Sequence, residues 1–277
     1  MFKYLVASAG LALAVSASPA LAQEDVDAGD YNGIYVGGSF GFSAQPNDGG
    51  SRLLFDTNRD GTFGDTVRNV AGADAFAPGF CGGRATSATG TCRSDRDGIE
   101  YYGMVGGDTQ MGRLVIGVVG EFGKSEARDS VSAFSITPAS YTFERQAKYQ
   151  AGVRGRVGYT PNDSTLFYAT GGAAYAKIRN RFFTSNTANA FTTNGNSDAW
   201  GYSAGGGVEQ RIGRNFSIGL LYLYTNLKAD DYRVTAGPGT APATNPFLLA
   251  NANGTDFRRS DNNFRTHSMR VTAAFRF

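Results

Sequence analysis

The sequence predicts an all-β fold, one eight-stranded antiparallel transmembrane β-barrel with short periplasmic turns and long extracellular loops. Three observations lead there. After the N-terminal leader no apolar run is long enough for a spanning helix, so a membrane passage must use strands, in which every second residue is free to be polar. Period-two alternation recurs in segments of strand length along the chain. The connections between these segments are alternately short and long, the asymmetry of a barrel whose turns lie on one side of a bilayer and whose loops lie on the other.

Residues 1–22 read as a secretory signal. Lys3 is the charged start, Leu5 to Ala17 the apolar stretch, and Leu21-Ala22 the end of a small-residue cleavage pattern. That stretch is shorter than the roughly 20 residues a helix needs to cross a bilayer. Residues 23–30 are then a short periplasmic segment and residues 31–277 the barrel, with a first long extracellular loop over 44–98. The chain has 38 Gly, 14 Tyr and 20 Phe against 8 Pro and 4 Met, a composition that suits Gly- and aromatic-rich strands. A formal charge of +2 without a dense basic run excludes nucleic acid as a default partner. Cys81 and Cys92 are the only cysteines in the sequence; in an exported chain they read as a disulfide, since a zinc site would want four donors.

The first strand alternates Ile34, Val36, Gly38, Phe40 and Phe42 against Tyr35, Gly37, Ser39 and Gly41. The second runs from Ile99 to Asp108 and turns through Thr109 to Gly112 into the third, Arg113 to Lys124. There Leu114, Ile116, Val118 and Phe122 share one face, assigned to lipid, and Arg113 and Glu121 share the other. The same parity in the fourth strand, Tyr149 to Tyr159, turns Arg154 and Arg156 inward. The fifth, Leu166 to Arg179, is small or apolar on both faces and its facing stays open. The sixth, Trp200 to Gln210, places Glu209 inward, and the seventh starts at Phe216 with Ile218, Leu220, Tyr222 and Tyr224 outward. The eighth, Phe264 to Phe277, sets Met269, Val271, Ala273, Phe275 and Phe277 against Arg270, Thr272 and Arg276. Outward aromatics fall toward both ends of the strands, as two interfacial girdles require.

Four segments carry a family resemblance: Tyr31-Asn32-Gly33-Ile34-Tyr35-Val36-Gly37-Gly38, Val153 to Tyr159, Leu166 to Gly172, and Val271 to Phe277. Together they resemble the opacity-type and OmpA-like outer-membrane β-barrels, the small "porin family" proteins of proteobacteria. The resemblance implies a bacterial outer-membrane location among lipids and lipopolysaccharide, and a surface antigen that acts as a monomer. It also implies hand-over to the outer-membrane assembly machinery by the terminal strand, with Val271, Phe275 and Phe277 as the contact.

An eight-stranded barrel is just wide enough to be filled by its own side chains, so Glu121, Arg154, Arg156, Glu209 and Arg270 are expected to form a lumenal charge network. In the first loop Asp56, Asn58, Asp60, Thr62 and Asp65 follow the opening spacing of a calcium-binding loop, with Val67 where an EF-hand has its bidentate Glu. No other cofactor is expected. His267, the single His, precedes Ser268 on a strand, where neighbouring side chains face apart, so a nucleophile and base pair is not expected and the chain reads as noncatalytic. The last loop, Lys228 to Asn263, reads as a flexible segment with one apolar contact point at Phe247-Leu248-Leu249. The expected role is a surface or structural barrel that displays loops to ions, polysaccharide, or a host or cell-surface ligand. The alternatives are a small diffusion pore and, below it, a lipid A-modifying enzyme.

Overall fold

The structure, a computed structural model, describes residues 30–46 and 50–277; the signal predicted at 1–22 and the 23–30 segment up to Ala28 and Gly29 lie outside the described residues. The barrel strands are β1 (Gly33–Ala44), β2 (Gly98–Met111), β3 (Leu114–Ser125), β4 (Ala139–Asn162), β5 (Thr165–Thr184), β6 (Ser197–Ile212), β7 (Phe216–Ala229) and β8 (Asn263–Arg276). Each pairs antiparallel with the next, and β1 pairs with β8 from Tyr35 opposite Arg276 to Ala44 opposite His267, so the ring closes and leaves no open edge. The short turns have local causes. Gly112 and Gly213 take left-handed φ values of 61° and 75°, and the Asn162 side chain accepts the amide of Thr165 at 2.7 Å.

The wall is apolar outside and polar inside. Phe42 and Trp200 are 63% and 66% exposed on the outer face, while Tyr35 on β1 and Val119 on β3, which face the lumen, are 2% and 6% exposed. The open facing of the fifth strand is resolved: Phe167, Ala169, Ala173 and Tyr175 point out, and Leu166, Thr170, Ala174 and Ile178 are buried inside. Phe122, Tyr149, Tyr175 and Trp200 form a continuous upper girdle, with ring centroids 5.9, 6.3 and 4.7 Å apart in that order. Tyr159, Phe167, Phe216 and Phe275 mark the lower edge. For tilted strands the span between Tyr149 and Tyr159 is about 25 Å, the thickness of an outer-membrane apolar band.

Above the upper girdle the chain departs from the expected loops. β4 and β5 run on to lengths of 24 and 20 residues, and a further strand, Arg128–Ser135, pairs with the upper half of β4. A second sheet of four short strands takes two segments from the last loop and one each from the first loop and the β5–β6 loop: Ala190–Thr193, Arg233–Gly237, Thr255–Arg259 and Leu53–Asp56, in that spatial order. Leu53, Phe55, Phe76, Val131, Tyr141, Phe143, Val234, Phe247 and Phe257 are buried between the layers. The loops therefore fold into a cap with its own aromatic core.

Two expectations are corrected here. The last loop is not a flexible tether: it supplies two strands of the cap and buries Phe247 and Leu248, leaving Leu249 at 43% exposure. The fourth strand begins at Ala139 rather than Tyr149, because a bulge at Lys148 shifts the register between Lys177 and Ile178 on β5 and interrupts the alternation.

Candidate functional site: the filled lumen and the extracellular cap

Side chains fill the lumen in layers. Nearest the short turns, Tyr31, Val115 and Leu166 pack together, and the Tyr31 hydroxyl donates to the Ser164 carbonyl at 2.8 Å. Above them lie Asp108, Glu209, Arg156 and Arg276. Arg156 donates from Nε to Asp108 at 2.7 Å and from Nη1 to Glu209 at 2.8 Å, and Arg276 Nη2 lies 2.8 Å from Asp108. Both guanidinium carbons sit 4.8 Å from the centre of the Tyr35 ring, so one aromatic face serves two cations. Tyr35, Val119, Met104 and Ala274 separate this layer from the next.

The second charged layer holds Glu100, Glu121, Arg154 and Arg270. Arg270 Nε lies 2.6 Å from Glu100 and its Nη1 3.0 Å from Glu121, while Arg154 Nη2 donates to Glu121 at 2.9 Å. The Tyr102 ring lies under Arg270 at 3.9 Å, and its hydroxyl donates to Gln150 at 2.5 Å. In each layer two carboxylates meet two guanidiniums, so the charges balance where desolvation would penalise an excess.

Glycine makes these contacts possible. Gly41 is the cross-strand neighbour of both Arg270 and Glu100, and Gly117 of both Asp108 and Arg156. A Cβ on Gly117 would stand 1.9 Å from the Asp108 carboxylate, so the bare position is what lets the ion pair bridge a strand.

All five lumenal residues named from the sequence face inside, four of them buried and Glu121 with its side chain 9% exposed, but they divide between two layers: Glu121, Arg154 and Arg270 in the upper, Arg156 and Glu209 in the lower. Glu100, Asp108 and Arg276 complete these layers and were missed as members. The signal was present, since Glu100 and Asp108 share parity on β2 and Arg276 shares it with Arg270 on β8.

Over the lumen an apolar layer of Ala147, Ile178, Leu227 and Phe264 is followed by Asp129, which lies 2.6 Å from both Arg145 and Arg259 at the base of the cap. Burial pushes the Asp129 pKa up, but the two guanidiniums outweigh it and hold the carboxyl below the usual carboxylate range. Burial, and after it the like charge of Arg259, pulls Arg145 below the usual arginine value.

In the first loop, Asp56, Asn58, Asp60, Thr62 and Asp65 lie on one turn. The Asp56 carboxylate accepts the amides of Asp60 and Gly61 at 3.1 and 2.8 Å, Asp60 accepts that of Thr62 at 2.7 Å, and Asp65 accepts that of Thr57 at 2.8 Å. The turn is tied to the last loop by Asn251, whose side chain donates to the Asn58 carbonyl at 3.0 Å. Among the described residues no group of three or more His, Cys, Asp or Glu side chains is placed to hold a metal. Cys81 and Cys92 form a disulfide that closes the segment lying against Arg128–Ser135 and β4. His267 faces outward with Nδ1 2.7 Å from the Tyr222 hydroxyl, and Ser268 is buried on the other face. Val271, Phe275 and Phe277 are exposed on the outer face of β8, beside the seam with β1.

A closed ring with an apolar exterior, two aromatic girdles, short turns on one side and a folded cap on the other defines an outer-membrane β-barrel protein. No family model matches the chain. It is 32% identical over 160 residues to the 22 kDa outer membrane protein of Rhizobium leguminosarum bv. viciae, covering 57% of this chain and 67% of that protein. Over 114 residues it is 32% identical to the 31 kDa outer-membrane immunogenic protein of Brucella melitensis biotype 1; this covers 41% of this chain and 47% of that protein, about half its length. The chain belongs to the family of the 22 kDa outer membrane protein. Among solved structures it is similar to the outer membrane protein OprG from Pseudomonas aeruginosa, with a TM-score of 0.48 and 9% identity over 91% of this chain and 100% of that one.

Proposed function

We propose that the protein is a noncatalytic surface barrel whose lumen does not conduct and whose cap is its contact surface for ions, polysaccharide or other cells. The carrying observation is the pair of charge-balanced layers across the lumen, in which Glu100 and Arg270 are 1% and 2% exposed. A buried pair of this kind opens only by leaving charges unpaired, which opposes a standing water path. The immunogenic name of the Brucella relative fits a protein seen from outside. In planar bilayers the purified protein should show no large, stable single-channel conductance; such a conductance would make the diffusion-pore alternative the better reading.

The divided faces of His267 and Ser268 favour a noncatalytic role. Removal of acyl chains from lipid A by the purified protein, abolished by His267→Ala, would overturn it. The terminal strand is proposed as the contact for the outer-membrane assembly machinery, through Val271, Phe275 and Phe277. Calcium at the Asp56 to Asp65 turn is a proposal from motif spacing, tested by calorimetric titration, in which no heat at millimolar calcium ends it.

A further inference from the structure

The outer wall above the upper girdle is not uniform. On the arc from β3 to β5 it carries Lys124, Arg128, Lys148, Lys177, Arg179 and Arg181. Register places them on one face. Arg128 and Arg179 are both cross-strand neighbours of Gln146, Arg181 is the neighbour of Glu144, and Lys177 is the neighbour of Tyr149 in the girdle itself. Lys124 follows Phe122 by one period on β3, and Lys148 is thrown outward by the bulge.

The carboxylates nearby do not balance this charge. Lys177 lies 3.0 Å from Asp198 and Lys124 3.3 Å from Glu126. The buried Glu144 is shared by Arg128 at 3.5 Å, Arg181 at 3.8 Å and Arg84 of the first loop at 3.2 Å. Lys148 and Arg179 are exposed and have no ion pair among the described residues. At the same height on the opposite arc stand Ala44, Ile99 and His267, with Arg265 bound to Asp261 at 2.9 Å and Lys228 beside Trp200 as the exposed cation on β7. With a formal charge of only +2 for the whole chain, this cationic arc is a local concentration and not a general excess.

Depth identifies the occupant. Interfacial aromatics sit at the level where acyl chains meet headgroups, so Lys124, Lys148 and Lys177, one or two residues beyond Phe122, Tyr149 and Tyr175, stand at the level of headgroup phosphates, and Arg179, two residues above Lys177 on the same face, extends the arc outward from that level. We infer that the β3 to β5 wall is a binding site for the phosphate groups of an outer-leaflet glycolipid, with Lys148 and Arg179 as its free cations and Arg128, Lys177 and Arg181 around them. The inference depends on the membrane placement of the barrel and not on the state of its lumen, so a conducting lumen would leave it standing.

The test is native mass spectrometry of the full protein in neutral detergent, with diphosphorylated lipid A or its dephosphorylated counterpart as the probe. Wild type should retain the phosphorylated lipid and little of the other, and added salt should release only the former. Lys148→Gln with Arg179→Gln should weaken retention roughly thirtyfold, given about 1 kcal/mol for each basic residue at an anionic surface. Arg113→Gln, which removes one cation at a short turn on the other side of the bilayer, should leave it unchanged. Both substituted cations lack partners, so folding should survive, as heat-modifiable electrophoretic mobility would verify. Equal retention of the two lipids, salt-independent retention, or full retention by the double variant would each overturn the site. So would capture of a soluble sulfated polysaccharide by wild type in place of the lipid.

Discussion

The barrel and its cap are built from the same strands with opposite solvents. β4 turns Val153 and Val157 to lipid and buries Arg154 and Arg156; past the bulge at Lys148 the same strand buries Tyr141 and Phe143 in a dry aromatic core. The medium decides which residues are inside. In lipid an apolar side chain gains little from burial, so the interior can be given to ion pairs, whereas in water burial of apolar area drives packing. The bulge moves the strand from one rule to the other, since one extra residue exchanges its faces.

If that contrast is right, damage to the two interiors should differ in kind. The largest effect is expected from Arg270→Ala, which leaves Glu100 and Glu121 short of a partner in a buried layer and should cost about 3 to 5 kcal/mol in urea unfolding from vesicles. Replacing both partners, Glu100→Gln with Arg270→Met, should recover part of that loss. Phe257→Ala comes next: it empties the middle of the cap, where Phe55, Phe143, Phe182 and Phe247 all contact Phe257, and should cost about 3 kcal/mol locally. Limited proteolysis should then cut the cap while the heat-modifiable mobility of the barrel persists; loss of both together would show that the two regions fold as one unit. Cys81→Ser with Cys92→Ser should loosen the first loop by about 2 to 3 kcal/mol, read as faster proteolysis between residues 81 and 98.

The smallest effect concerns pH. Asp129 has a folded pKa below its ordinary value, so its contribution is complete above about pH 4 and is lost as pH falls through the lowered value. Cap protection in hydrogen exchange should therefore decline only below about pH 4, and Asp129→Asn should remove that acid dependence. Unchanged acid sensitivity in the variant would place its origin elsewhere.

These regions also differ in how far they could be read from the residues. Parity alone turns Arg154, Arg156 and Glu209 inward, because a strand between lipid and lumen repeats the same two environments over many residues. Glu100 and Asp108 obey the same rule, sharing the inward parity of β2. The fifth strand was undecidable, since Ala169, Ala173, Ala174 and Ala176 are small on both faces. For the cap no local pattern existed: its strands are four or five residues long, and Leu53–Asp56 pairs with Thr255–Arg259 across some two hundred intervening positions.

By itself the sequence determined the strand count, the side facing lipid on every strand but the fifth, the closure of the ring and the presence of charge inside it, because each follows from a period that the bilayer enforces residue by residue. Only the tertiary structure decided which carboxylate meets which arginine, that Gly41 and Gly117 clear the way between them, and that four loops join into one cap. Those outcomes depend on side chains distant in the chain arriving at one place, and distance along the chain carries no record of that meeting.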